Sequence, residues 1–128
     1  KKITEGNDAL IISTGSVSGQ AKLATETLKK QNINIALINC HTIKPFDEEI
    51  LSEIYKHDNV IIVEEHSIVG GLNSIISDLL SKNSIHKKIL SITLPDKFGP
   101  TGDYSYLLNY HGLSHDKISS QIKEFLTS

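Results

Sequence analysis

Apolar residues recur along this chain in two different periods, and the alternation between those periods is its main structural signal. Ala9-Leu10-Ile11-Ile12-Ser13, Ile33-Asn34-Ile35-Ala36-Leu37-Ile38, Val60-Ile61-Ile62-Val63 and Ile89-Leu90-Ser91-Ile92-Thr93-Leu94 are short β-rich runs. The third has no polar interruption, as expected of a strand covered on both faces. Between them the period changes. Val17, Ala21, Ala24 and Leu28 recur at steps of four, three and four, which lines one face of a helix. Pro45 stops any extension of the second run. Asp47 then caps a helix with Glu48 and Glu49 in its first turn and Phe46, Ile50, Ile54 and Tyr55 as its buried stripe. After Gly70-Gly71, the residues Leu72, Ile75, Ile76, Leu79 and Leu80 give a third apolar face. The fourth run ends at Pro95, and a Gly- and Pro-rich loop continues to Gly102. Two helices finish the chain, Tyr104 to Tyr110, stopped by Gly112, and Ser114 to Leu126 with Ile118, Ile122 and Phe125 facing inward.

Strands alternating with helices of this length predict βαβ units, hence a three-layer α/β fold around a mainly parallel sheet. Neither an internal repeat nor a low-complexity linker interrupts it. With 128 residues there is room for one domain, 1–128, and not two. The opening Lys1-Lys2-Ile3-Thr4 enters a strand-like pattern directly, so the chain reads as a piece excised from something longer.

Charge and composition narrow the partners. Thirteen basic residues against 15 acids give a net charge of −2, and the basic ones are scattered. Nucleic acid and acidic membrane surfaces are therefore poor partners. The longest apolar run is too short to span a bilayer. Cys40 is the one cysteine, so there is no disulfide framework, which suits a reducing cytoplasm. Every cationic side chain is Lys. A bidentate guanidinium clamp on phosphate or carboxylate is excluded within the chain.

Two glycine-bearing exits from strands are the candidates for chemistry, since ligands of doubly wound sheets collect at strand carboxyl ends. Thr14-Gly15-Ser16-Val17-Ser18-Gly19 runs into a helix start. Its hydroxyls and free N–H groups suit an anion such as phosphate. It matches neither a Walker loop nor a dinucleotide fingerprint, and a tight turn with Ser16 or Ser18 as N-cap explains it equally. Glu64-Glu65-His66-Ser67-Ile68-Val69-Gly70-Gly71 offers two carboxylates and an imidazole for acid–base work or a metal. Adjacent carboxylates on an extended chain point in opposite directions, however. The alternative is a structural role at a contact between domains or subunits. The candidate crevice is thus Thr14, Gly15, Ser16, Ser18, Glu65, His66, Gly70 and Gly71. Cys40 reads as a small core residue just past a strand. His57, His86 and His115 read as solvated, and His111 as a cation at a helix end. No constellation supplies catalysis or a metal site by itself.

Five segments, in order, resemble the C-terminal domain of transketolase-type enzymes: Gly6 to Ser16, Asn39 to Asp47, Val63 to Leu72, Pro95 to Gly102, and Leu107 to Leu113 with Ile118. The Glu-Glu-His and Phe-Gly-x-x-Gly forms resemble more nearly those of split, two-subunit transketolases. The resemblance implies a five-stranded mixed sheet with Lys2 to Glu5 as a short antiparallel edge strand and Ala9–Ser13 beside Val60–Val63. It implies a parent enzyme that moves two-carbon ketol units between sugar phosphates, as in the pentose phosphate pathway, using thiamine diphosphate and Mg²⁺. The same domain closes the β subunits of 2-oxoacid dehydrogenases and deoxyxylulose-phosphate synthase, where a regulatory or partner-docking role is the alternative. The family's metal-binding Gly-Asp-Gly is missing from this chain. The expected role is therefore non-catalytic, supporting a homodimer of the parent and rimming its active site. The expected partners are the preceding cofactor-binding domains or a separate subunit. One departure stands out: Asn73 takes the place where relatives carry a second-turn glycine.

Overall fold

Four strands run parallel at the centre of the molecule, and helices cover both of their faces. A computed structural model describes residues 2–14, 18–40, 48–65, 71–94 and 115–127. In chain order these are β1 (Lys2–Thr4), β2 (Ala9–Thr14), α1 (Ser18–Lys29), β3 (Ile35–Cys40), α2 (Glu48–Lys56), β4 (Asn59–Glu65), α3 (Gly71–Lys82), β5 (Lys88–Leu94) and α4 (His115–Thr127). The expected Tyr104–Tyr110 helix and the Pro95–Gly102 loop lie outside the described residues, as do Val17 and Phe46.

The spatial order is β1-β3-β2-β4-β5. β2 pairs in parallel with β3 from Ala9↔Ile35 to Thr14↔Cys40, and with β4 from Leu10↔Val60 to Ser13↔Val63. β4 pairs in parallel with β5 along its whole length. β1 lies antiparallel to β3, with a register shift between Lys2 and Thr4. The third strand begins and ends two residues later than the apolar run suggests. Asn34 is held outside it by Asp8, and pairing with β2 carries it through Cys40, which is a strand residue and not one just past the strand.

Alternation along each strand separates two cores. Ala9, Ile11, Ile35, Leu37, Ile61 and Val63 meet α1 and α4 through Ala21, Ala24, Leu28, Ile118 and Ile122. Leu10, Ile12, Ala36, Ile38, Val60 and Ile62 meet α2 and α3 through Ile50, Ile54, Leu72, Ile76 and Leu80. The helical stripes read from periodicity are thus the buried faces, with two corrections, the first being Ile75, which is only partly buried at the edge of the α3 stripe. The second is Tyr55, which is 57% exposed, because the α2 face is already filled by Ile50 and Ile54.

Both α1 and α3 end in the same way. Asn32 and Ser84 take left-handed backbone angles (φ 64° and 54°). Around them, Ile33 N bonds Leu28 O and Asn32 N bonds Lys29 O, while Ile85 N bonds Leu80 O and Ser84 N bonds Ser81 O. This is the double hydrogen bond that satisfies a helix's last carbonyls. Each is sealed by apolar packing of Ile33 and Ile85 against the cores that hold Leu28 and Leu80. Neither cap uses glycine, which is why the sequence does not advertise them.

Since β3 stands between β1 and β2, the chain from Glu5 to Asp8 must cross the amino end of β3, a lateral distance of about 10 Å. Gly6 makes that crossing. A Cβ there would lie 2.5 Å from Asn34 C, 2.5 Å from Ile35 N and 2.6 Å from Ile35 C, so only a residue without a side chain fits. Asp8 N then donates to Asn34 O (2.8 Å), and Asn34 N donates to Asp8 Oδ2 (2.6 Å).

Candidate functional site

The connections reverse direction at the carboxyl ends of β2 and β4. From β2 the chain moves through α1 to β3 on one side; from β3 it crosses through α2 to β4 on the other side of β2. β4 in turn leads through α3 to β5, away from β3, so the connections from β2 and β4 diverge, and such a switch point is the usual ligand position of a doubly wound sheet. Thr14 and Glu65 end these two neighbouring strands, and Ser18 and Gly71 begin the helices that follow. Of the sequence-derived crevice residues, the structure describes the backbone of Thr14, Ser18, Glu65 and Gly71. Gly15, Ser16, His66 and Gly70 lie outside the described residues, as do His41 and His111.

Three polar residues at this end are not among the candidate crevice residues. Ser13 on β2, Asn39 on β3 and Glu64 on β4 are all buried, where every earlier inward position on β2 and β3 is apolar. Ser13 and Asn39 are register partners on the α1/α4 side of the sheet. Glu64 falls on the α2/α3 side, is 2% exposed, and its Oε1 accepts a hydrogen bond from Leu72 N at 3.1 Å. It thus satisfies one of the orphan amides in the first turn of α3 and places a carboxylate at the positive end of that helix. The signal for it was the Glu64-Glu65 pair. Strand alternation showed that one carboxylate had to turn inward, and only the packing of α3 shows what the inward one does.

This contact is a structural cap, and its removal has a measurable consequence. Glu64→Ala should lower folding stability by about 1–2 kcal/mol, while Glu64→Gln, which keeps a carbonyl acceptor, should cost less than half of that. Urea denaturation of the two variants checks this. Equal losses would mean that Leu72 N is not what Glu64 serves.

Asn73 sits one residue beyond this cap, and its side chain meets β5. Ser91 Oγ donates to Asn73 Oδ1 at 3.3 Å, so this side chain ties α3 to the sheet's outer strand. His57 overturns the expectation of a solvated imidazole. It is 3% exposed, with Nδ1 2.8 Å from Glu53 O and Nε2 2.7 Å from Gly6 O, because the β1–β2 crossing covers the end of α2. His86 is exposed, as expected. No group of three or more His, Cys, Asp or Glu able to hold a metal occurs among the described residues, and none of their helices is long and apolar enough to cross a membrane. What the described residues at the carboxyl end offer is a set of buried polar groups, Ser13, Asn39 and Glu64. Such groups can position a ligand; they contain no nucleophile–base pair.

Comparison with known proteins gives this geometry its context. The family model "Transketolase, C-terminal domain" matches residues 1–118. A protein of Methanocaldococcus jannaschii described as a transketolase C-terminal section is 39% identical over 124 residues, which is 97% of this chain and 39% of that protein. A 1-deoxy-D-xylulose-5-phosphate synthase of Dictyoglomus thermophilum is 40% identical over 118 residues, covering 91% of this chain and 19% of the synthase. Among solved structures, a split-gene transketolase captured as an inactive β4 tetramer superposes with a TM-score of 0.81 at 27% identity, over 99% of this chain and 42% of that one. The chain thus spans well under half the length of each of these relatives.

Proposed function

Because the chain belongs to the transketolase C-terminal domain family, we propose that it is the scaffold section of a thiamine-diphosphate-dependent enzyme, buttressing the assembly and rimming an active site built elsewhere. The observation that carries this reading is a family match over residues 1–118 in a chain that lacks Gly-Asp-Gly and any arginine. The cofactor supplies an electron sink for two-carbon transfer, and its diphosphate is held through Mg²⁺. The described residues of this chain do not fit that metal. No chemical step is therefore assigned to them.

In this reading residues 1–118 and the last helix form one unit, 1–128, of a longer polypeptide or of a two-subunit enzyme. Homodimer formation by the parent, a cytoplasmic location and sugar phosphate substrates accompany the proposal. β1 then serves as a lasting antiparallel edge of a five-stranded mixed sheet, capping the side of β3 away from β2. The partner is the section carrying the cofactor, and the likeness to a split-gene transketolase supports a separate subunit. Thr14, Gly15, Ser16, Ser18, Glu65, His66, Gly70 and Gly71 would face that section at the switch point.

Titration of the chain with thiamine diphosphate and Mg²⁺ tests the division of labour. The expected calorimetric trace shows no saturable heat until a cofactor-bearing section is added. Saturable micromolar binding by the chain alone would overturn it. The 40% identity to a 1-deoxy-D-xylulose-5-phosphate synthase favours one second reading, the same scaffold role in an enzyme that makes 1-deoxy-D-xylulose 5-phosphate. Product analysis of the reconstituted enzyme distinguishes the two.

A further inference from the structure

His57 is a buried titratable group that the scaffold reading leaves unused. It follows α2, and its own backbone N–H is bonded to Ile54 O at 3.1 Å. Both ring nitrogens point at backbone carbonyl oxygens, Nδ1 at Glu53 O (2.8 Å) and Nε2 at Gly6 O (2.7 Å). A carbonyl only accepts, so each contact requires an N–H from the ring. The neutral imidazole has one N–H and the cation has two. Full satisfaction of this site is therefore a property of the charged ring.

We propose that His57 is a protonation-dependent latch that holds the β1–β2 crossing against the end of α2. The two contacts differ in reach. Glu53 lies one turn back on the same helix, while Gly6 is 51 positions away, in the one segment that crosses the amino end of β3. With the ring charged, both bonds form and Gly6 is clamped between His57 and the backbone of Asn34 and Ile35. In the neutral ring with its proton on Nδ1, toward Glu53 O in its own helix, Gly6 O faces a nitrogen lone pair at hydrogen-bond distance, which is repulsive, and the tie to the crossing is lost. The latch is closed when the ring carries both protons and loosens when it gives one up.

The charged groups on the elements around it are few. The last turn of α2 brings Glu53 and Lys56, whose Nζ is 3.4 Å from Glu53 Oε2, and Asp58 follows. The crossing brings Glu5 and Asp8, the latter held by Asn34 N. β4 contributes Asn59, whose Nδ2 donates to Asp8 O at 3.4 Å. The crossing is thus fastened to β3 by Asp8 and Asn34, to β4 by Asn59 and to α2 by His57, and only the last of these fastenings is made through an imidazole. Its role is to set how firmly the chain entering the sheet is held.

The test is a pH titration of the full chain by ¹⁵N NMR from about pH 5 to about pH 8, reading the His57 ring nitrogens and the Asp8 amide together. Asp8 N bonds Asn34 O two residues beyond Gly6, so its protection reports the crossing. Losing a hydrogen bond made by a charged donor should lower the Asp8 protection factor, corrected for intrinsic exchange, about tenfold or more as the ring becomes neutral. In His57→Gln, which keeps a single side-chain donor group and cannot titrate, that dependence should disappear. Constant Asp8 protection while the ring titrates would overturn the latch, as would a ring that stays in one protonation state throughout. The same fall in protection in His57→Gln would also overturn it. If the variant does not fold, the wild-type titration decides alone.

Discussion

Gly6→Ala is expected to destabilise the folded chain by about 3 kcal/mol, the upper end of what overpacking costs. The added methyl would sit 2.5 Å from two backbone atoms of Asn34 and Ile35, and neither can swing away as a side-chain tip would. Relief requires moving the crossing off β3. That movement strains the paired Asp8–Asn34 hydrogen bonds and the His57 contact to Gly6 O at once. Chemical denaturation checks the prediction through a lowered midpoint at unchanged slope. A loss below 1 kcal/mol would mean that the crossing rides further from β3 than described. The contrast is Gly19→Ala, where a Cβ meets nothing within 4 Å and the position lies inside α1. That change should be neutral or slightly stabilising, since alanine is the better helix former.

Ile11→Ala should cost about 2–5 kcal/mol, through lost apolar transfer and the cavity left behind. Ile11 is fully buried on β2, between β3 and β4, in the core shared with α1 and α4. Backbone pairing on both sides fixes β2, so the site cannot collapse to fill the space. Ile12→Ala probes the opposite core in the same strand and should cost a similar amount. Tyr55→Ala on the exposed side of α2 should stay within about 0.5 kcal/mol of wild type. Equal costs for Ile11 and Tyr55 would contradict the two-faced core.

The site was legible in part, and the reason lies in which features are local. The Glu64-Glu65 pair and the glycines at 70 and 71 stood out because strand ends followed by helices leave marks in the sequence. Ser13 and Asn39 left none, because a polar residue at or just past the end of an apolar run gives no sign of burial until the helices cover the sheet. His57 was misread for a similar cause. Its neighbours Lys56 and Asp58 are polar, yet the group that covers it comes from Gly6, far away along the chain. Asn73 was flagged as a departure, and its partner Ser91 became visible only once α3 was packed on β5.

By itself the sequence determined the α/β class, the four parallel strands and the inward face of each helix. Apolar spacing at two and at 3.6 residues dictates which side chains must leave water, and that choice is made within a few residues. It also carried the membership in the transketolase C-terminal domain family, since ordered motifs survive without knowledge of their contacts. The resemblance implied that Ala9–Ser13 lies beside Val60–Val63, and the tertiary structure places β2 between β3 and β4, so that two separate strand exits share one end of the sheet. Only the tertiary structure decided that Glu64 caps α3, that Gly6 has no room for a side chain, and that His57 sits between two carbonyls. Each of these joins groups far apart in the chain, or depends on a backbone approach that no local propensity encodes.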